Sequence, residues 1–131
     1  MSEQRDHVTV LLYSDNVDTR RAVMDAVGVR PAADMKPVEW IEAATAEGAV
    51  TKFADNHIDA LVMDGETQKE GGMAVLRRLH VEFEHVPPAL VLIARPQDEW
   101  LARFAGTQTV LNTPLDPIEL RQALAGLLGK K

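Results

Sequence analysis

Three runs of residues constrain this chain more than anything else in it: VTVLLY at 8–13, IDALVMD at 58–64 and ALVLIA at 89–94. Each is aliphatic or β-branched over most of its length. Each is far too short to cross a membrane, and too continuously apolar for a strand with one wet face. Runs of this kind are strands covered on both sides. Such strands belong to parallel sheets, whose right-handed crossovers lay helices on each face.

The intervening segments supply those helices. SDNVDTRRAVMDAVG offers Ser14, Asp15 and Asp18 as turn and cap residues, places Ala22, Val23, Ala26 and Val27 on one helical face, and ends at Gly28. RPAADMKP reads as a loop, VEWIEAA as the second strand with Trp40 expected in the core, and AEGAVTKFADN as a helix despite Gly48. From about Gly72 a third helix is expected, with Met73, Leu76, Leu79 and Val81 on its inner face. HVPP ends it. QDEWLARFAG reads as a short fourth helix closed by Gly106, with Leu101, Phe104 and Ala105 as the core stripe and the Trp100 indole at least partly outward. TVLN is a brief fifth strand. Asp116 then caps a last helix with Pro117 at its first position, Leu120, Ala123, Leu124 and Leu127 as its stripe, and Lys130 and Lys131 in its last turn, where the helix dipole favours cations.

Strand and helix thus alternate five times, an α/β chain with a doubly wound parallel sheet. At 131 residues it is expected to form one domain. The chain holds no cysteine, which excludes disulfides and thiolate chemistry. A net charge of −6 with scattered basic residues leaves little drive toward phosphate backbones, so nucleic-acid binding is not expected. The polar start MSEQRDH is unlike a signal peptide, and no membrane insertion is expected; the location implied is cytoplasmic.

In open sheets of this kind, ligands sit beyond the carboxyl ends of the strands, where Asp15, Asp64, Ile93 and Thr113 fall. No phosphate-cradling glycine loop and no nucleophile beside a base is present, so an enzyme is not expected. His57 precedes the third strand and so belongs to the opposite end of the sheet. His80 and His85 flank EFE at no metal-ligand spacing. The plain structural role for Asp64 is to accept backbone N–H groups of the loop that follows it, and Asp15 has a similar capping role open to it.

Taken together, LVMDGETQKEGG, YSDNVDTRRAV, LIAR and LNTPLDPIEL resemble, in order and spacing, the receiver domain of bacterial two-component response regulators. The resemblance covers essentially the whole of 1–131, as a single receiver-like domain with no output domain. It implies the flavodoxin-like, CheY-like (βα)5 fold with strand order 2-1-3-4-5. In that family a histidine kinase passes a phosphoryl group to an aspartate ending the third strand, here Asp64. Gly72, eight residues on, matches the glycine opening the third helix. Magnesium is held by an acidic pair after the first strand, the acceptor and a backbone carbonyl. These correspond to Asp15, Asp64 and Glu66, so Mg2+ is the cofactor implied.

The departures are specific. Ser14 stands where the first acid of the pair would be. Ile93 stands for the threonine or serine that bonds the phosphoryl oxygen; Ala94, one position on, is the alternative match, and the side chain of neither can donate. Thr113 replaces the lysine that pairs with the phosphorylated aspartate, within a frame that keeps Pro114, Asp116, Pro117 and Leu120. Val110 stands for the aromatic that swings inward on activation. The reading that follows is a degenerate stand-alone receiver, a pseudo-receiver, that binds another protein or a larger complex independently of phosphorylation, as a regulatory adaptor or accessory subunit. Its expected partner face is the fourth helix, fifth strand and fifth helix, including Trp100 and Arg103. The alternative is a working phosphorelay receiver with Asp64 as acceptor and a histidine kinase as donor. A small-molecule or enzymatic role on the same frame is a third.

Overall fold

A computed structural model describes residues 6–66, 71–104, 107 and 109–129. Five strands, β1 (Val8–Tyr13), β2 (Val38–Ala43), β3 (Ala60–Asp64), β4 (Ala89–Ile93) and β5 (Thr109–Asn112), alternate with α1 (Val17–Val27), α2 (Ala46–Asp55), α3 (Gly72–Glu82), α4 (Glu99–Phe104) and α5 (Pro117–Gly129). All pairings are parallel, in the order β2-β1-β3-β4-β5. This is the CheY-like flavodoxin fold that the alternation of strands and helices and the resemblance imply.

Period-two alternation divides the core in two. Leu11, Tyr13, Leu61, Met63, Val91 and Ile93 face one side, where Ala49 and Phe53 of α2, Val75, Leu76 and Leu79 of α3 and Ala102 of α4 cover them. Val10, Leu12, Ala60, Val62, Leu90, Leu92 and Leu111 face the other, under Val23 and Val27 of α1 and Leu120, Leu124 and Leu127 of α5. β3 and β4 are buried at every position, which is why their sequences carry no alternation of their own.

Several local expectations need correction. The cap of α1 is Asn16, whose Oδ1 accepts from Asp18 N–H at 2.8 Å and Thr19 N–H at 3.3 Å, rather than Ser14, Asp15 or Asp18. Val23, Ala26 and Val27 face the core as expected, but Ala22 is exposed and Met24 packs there in its place. In α3, Leu76 and Leu79 are buried as expected and Met73 packs against the same core, but Val75 joins them and Val81 is 81% exposed. Trp40 is half-buried, because β2 is an edge strand. The fourth helix starts later than expected: a 3-10 turn, Pro96–Asp98, precedes α4 and shifts its phase, so Ala102 is buried whereas Leu101 and Phe104 are exposed. Ala105, Gly106, Lys130 and Lys131 lie outside the described residues. Asp116 caps α5 as expected, accepting from Ile118 N–H at 2.9 Å, and Leu120, Leu124 and Leu127 are buried.

Two glycines have backbone reasons. Gly28, after α1, has φ of +73°, a conformation L side chains rarely adopt, and its N–H returns to the Met24 carbonyl at 2.9 Å. At Gly72 a Cβ would stand 2.7 Å from the Asp64 carbonyl oxygen and 2.8 Å from Met63 Cβ, so α3 starts against the end of β3 only because no side chain intervenes.

Candidate functional site

At the carboxyl ends of β1, β3, β4 and β5 the chain leaves an open cleft of about 370 Å3 lined by Asp15, Asn16, Thr19, Asp64, Glu66, Ala94 and Thr113. Among the described residues its lining is acidic, with three carboxylates and no cationic side chain.

The pairing of β1 with β3 explains its centre. Tyr13 lies opposite Met63, so the next residue, Ser14, comes level with Asp64, and both continue the face of Leu12 and Val62. Ser14 is fully buried and its hydroxyl donates to Asp64 Oδ2 at 2.7 Å, the short distance of a charge-assisted bond. The Ser14 oxygen in turn accepts from the Asn16 N–H at 3.1 Å. Asp64 Oδ1 accepts the Glu66 N–H at 2.9 Å. Asp64, only 7% exposed, therefore has a neutral donor on each oxygen. The capping role open to it from sequence is realised.

The Arg20 guanidinium beside Ser14 serves another purpose. Arg20 donates from Nη1 to the Ser14 carbonyl at 2.6 Å and from Nε to Glu42 Oε1 at 2.9 Å, tying α1 to the end of β2. It stabilises the backbone of the β1 turn.

At the other side of the cleft the wall is Ala94, not Ile93. Asp64 is in register with Leu92, so Ile93 falls on the opposite face of the sheet, completely buried among the α2–α3–α4 core residues. Val110 packs against the same core group. Thr113 lines the cleft, but its N–H donates to the Ile93 carbonyl at 2.8 Å, and its hydroxyl approaches that same oxygen at 3.4 Å. Sequence reasoning assigned Glu66 a metal-facing backbone carbonyl and a charge near Asp64, but no partner for its side chain. The structure uses its side chain, whose Oε2 accepts from the Ala94 N–H at 3.0 Å. That partner is 28 residues away, and no local pattern announces it.

The expected cation fits this site partially. Carboxylate oxygens suit a hard divalent ion, and Asp15 and Asp64 share the cleft. Among the described residues, however, no cluster of three or more histidine, cysteine or acidic side chains is arranged to hold a metal. A cation on Asp64 would share its carboxylate with the Ser14 hydroxyl on Oδ2 and the Glu66 N–H on Oδ1.

Outside the cleft, α4 presents Trp100 at 67% and Phe104 at 70% exposure. Arg77 of α3 lies over the Phe104 ring, 5.1 Å from its centroid, and Arg103 pairs with Glu99 one turn back. Arg95 and the buried Asp98 form a two-bond ion pair at 3.1 Å that anchors the turn before α4, and the Asp98 carboxylate raises the affinity of the Arg95 guanidinium for its proton. His57 is exposed and bonded to Asp59, at the end of the sheet remote from the cleft. No described helix is long and apolar enough to cross a membrane.

No protein-family model matches the sequence. An uncharacterized response regulatory protein of Mycobacterium tuberculosis, found in strains CDC 1551 and H37Rv, is 36% identical over 128 residues, spanning 98% of this chain and 96% of its own. Among solved structures, the receiver domain of NtrX from Brucella abortus superposes with a TM-score of 0.77 at 17% identity, over 93% of this chain and 99% of that one. Chemotaxis protein CheY4 of Vibrio cholerae gives 0.73 at 21%, over 93% and 99%. The fold order, the aspartate at the mouth of β3 and a relative matched almost end to end agree: the chain belongs to the CheY-like receiver family of response regulators.

Proposed function

We propose that this receiver, a single domain over residues 1–131, acts as a phosphorylation-independent protein-binding module in the cytoplasm. Its role is that of a regulatory adaptor or an accessory subunit of a larger complex. The observation that carries the reading is the state of Asp64: buried, with Ser14 O–H on one oxygen and Glu66 N–H on the other. Phosphoryl transfer depends on cations that neutralise charge on the transferred group. Among the described residues, the lining of this cleft supplies three carboxylates and no cation. A phosphoryl group would add roughly −1.5 to −2 charges to it. Ala94 and Thr113 stand on its wall; an alanine side chain cannot donate, and the threonine hydroxyl is already turned toward the Ile93 carbonyl.

The surface that remains for function is the α4–β5–α5 side with its exposed Trp100, Arg103 and Ile118. Tryptophan and arginine are the residue types that anchor interfaces most often. Mg2+, where it binds, would be held by Asp15, Asp64 and the Glu66 backbone carbonyl and would neutralise acidic charge there.

Parallel affinity purifications of the wild-type protein and Asp64→Ala from the native organism test the reading. Equal recovery of the same stoichiometric partner supports it. Loss of the partner from a folded Asp64→Ala protein contradicts it. The co-location of Asp15 and Asp64 favours one second reading, a phosphorelay receiver charged by a histidine kinase. Radiolabel appearing on wild type and not on Asp64→Ala would select that reading.

A further inference from the structure

The mouth of β4 carries one backbone donor on the cleft wall, the Ala94 N–H, and Glu66 Oε2 accepts from it at 3.0 Å. Glu66 is held at its base as well, because its own N–H donates to Asp64 Oδ1 at 2.9 Å. The residue therefore spans the cleft from the β3 mouth to the β4 mouth. An exposed glutamate side chain ordinarily keeps its rotamer freedom in water, yet this one is tied to a donor 28 residues away. A tetrahedral oxyanion seated on Asp64 would draw its hydrogen bonds from donors on the same cleft wall, where a backbone N–H is a strong partner for a charged oxygen.

We propose that Glu66 is an internal anion latch: its carboxylate occupies the Ala94 N–H in place of an external oxyanion, so that the cleft disfavours phosphoryl-like ligands and the β4–α4 connection is fastened without one. The latch deepens the reading of Asp64 as a silent position and rests on it. It also joins the two loops that flank the β3–β4 pair, and Ala94 directly precedes Arg95, whose pair with Asp98 sets the start of α4.

The test is an amide NMR titration of 15N-labelled wild type, Glu66→Ala and Glu66→Gln with beryllofluoride in the presence of magnesium. Before any ligand is added, the Ala94 amide is expected to move upfield in Glu66→Ala and to exchange with solvent several-fold faster. With beryllofluoride, the apparent Kd is expected to fall about tenfold in Glu66→Ala, Glu66→Gln lying between, as loss of a charge-assisted competitor implies. The gain should persist at roughly 0.5 M salt, which screens simple repulsion between exposed charges.

An Ala94 amide unchanged in Glu66→Ala, or a gain that vanishes in salt, would overturn the latch. Variants as inert as an inert wild type also remove it, while leaving the silent reading of Asp64 intact. Wild type that binds as tightly as Glu66→Ala, with shifts spreading through α4, β5 and α5, sinks both.

Discussion

Ser14 changes what Asp64 is. In the family resemblance this position holds an acid, and two buried carboxylates side by side repel unless a cation lies between them. A serine there donates a hydrogen bond instead, at 2.7 Å, and converts a metal-dependent pair into a self-sufficient one. Ser14→Ala should therefore cost about 1.5–3 kcal/mol in urea unfolding, the range for a lost hydrogen bond to a charged group. A loss under about 0.5 kcal/mol would mean the bond contributes nothing. Ser14→Asp should be less stable than wild type in chelator and recover on adding Mg2+; a thermal shift indifferent to Mg2+ would show that the cleft cannot rebuild a cation site. The substitutions at Ser14 and Thr113 were legible in the sequence because the frame around them is kept. The use of the Glu66 side chain was not, since its partner Ala94 is set by tertiary packing. Ile93 was placed on the cleft wall by its rank in LIAR. The register of Asp64 with Leu92 puts it on the other face.

At the scale of elements, the strands were the legible part, because continuous apolar runs admit few alternatives, and α4 was the least legible. Its six described helical residues make fewer than two turns, too few for a 3.6-residue period to declare its phase. The 3-10 turn Pro96–Asp98, pinned by Arg95 and Asp98, then sets that phase. The result buries Ala102 completely and turns Trp100 and Phe104 outward. Trp100→Ser and Phe104→Ser should each change stability by no more than about 0.5 kcal/mol, as exposed positions do, apart from the Arg77 contact at Phe104. Ala102→Leu should cost about 1–3 kcal/mol by overpacking. Unfolding curves in which Trp100→Ser is the worse of the two would contradict this phase for α4. Gly72→Ala belongs with these: a methyl group 2.7 Å from the Asp64 carbonyl oxygen forces α3 away from β3. The same overpacking range of about 1–3 kcal/mol is expected from denaturant midpoints.

Over the whole molecule, the alternation of five strands with five helices was enough to anticipate a doubly wound sheet and the end of it where a site would lie. Period two within β1, β3 and β4 then explains how one sheet supports two separate core groups. Asp64 ends β3 between them, with α3 starting directly against its carbonyl. In the cleft at this end, the Ser14 hydroxyl and the Glu66 N–H bond Asp64, and the Glu66 carboxylate bonds the Ala94 N–H.

A partner face that does not wait for a signal at Asp64 should stay silent when that aspartate is offered a phosphoryl mimic. In an amide and indole NMR titration of the wild-type protein with beryllofluoride and Mg2+, the resonances of Trp100, Phe104 and the amides of β5 and α5 are expected to stay in place at concentrations that saturate a responsive receiver. A second set of peaks growing in across α4, β5 and α5 would contradict it and restore Asp64 as the control point of the domain.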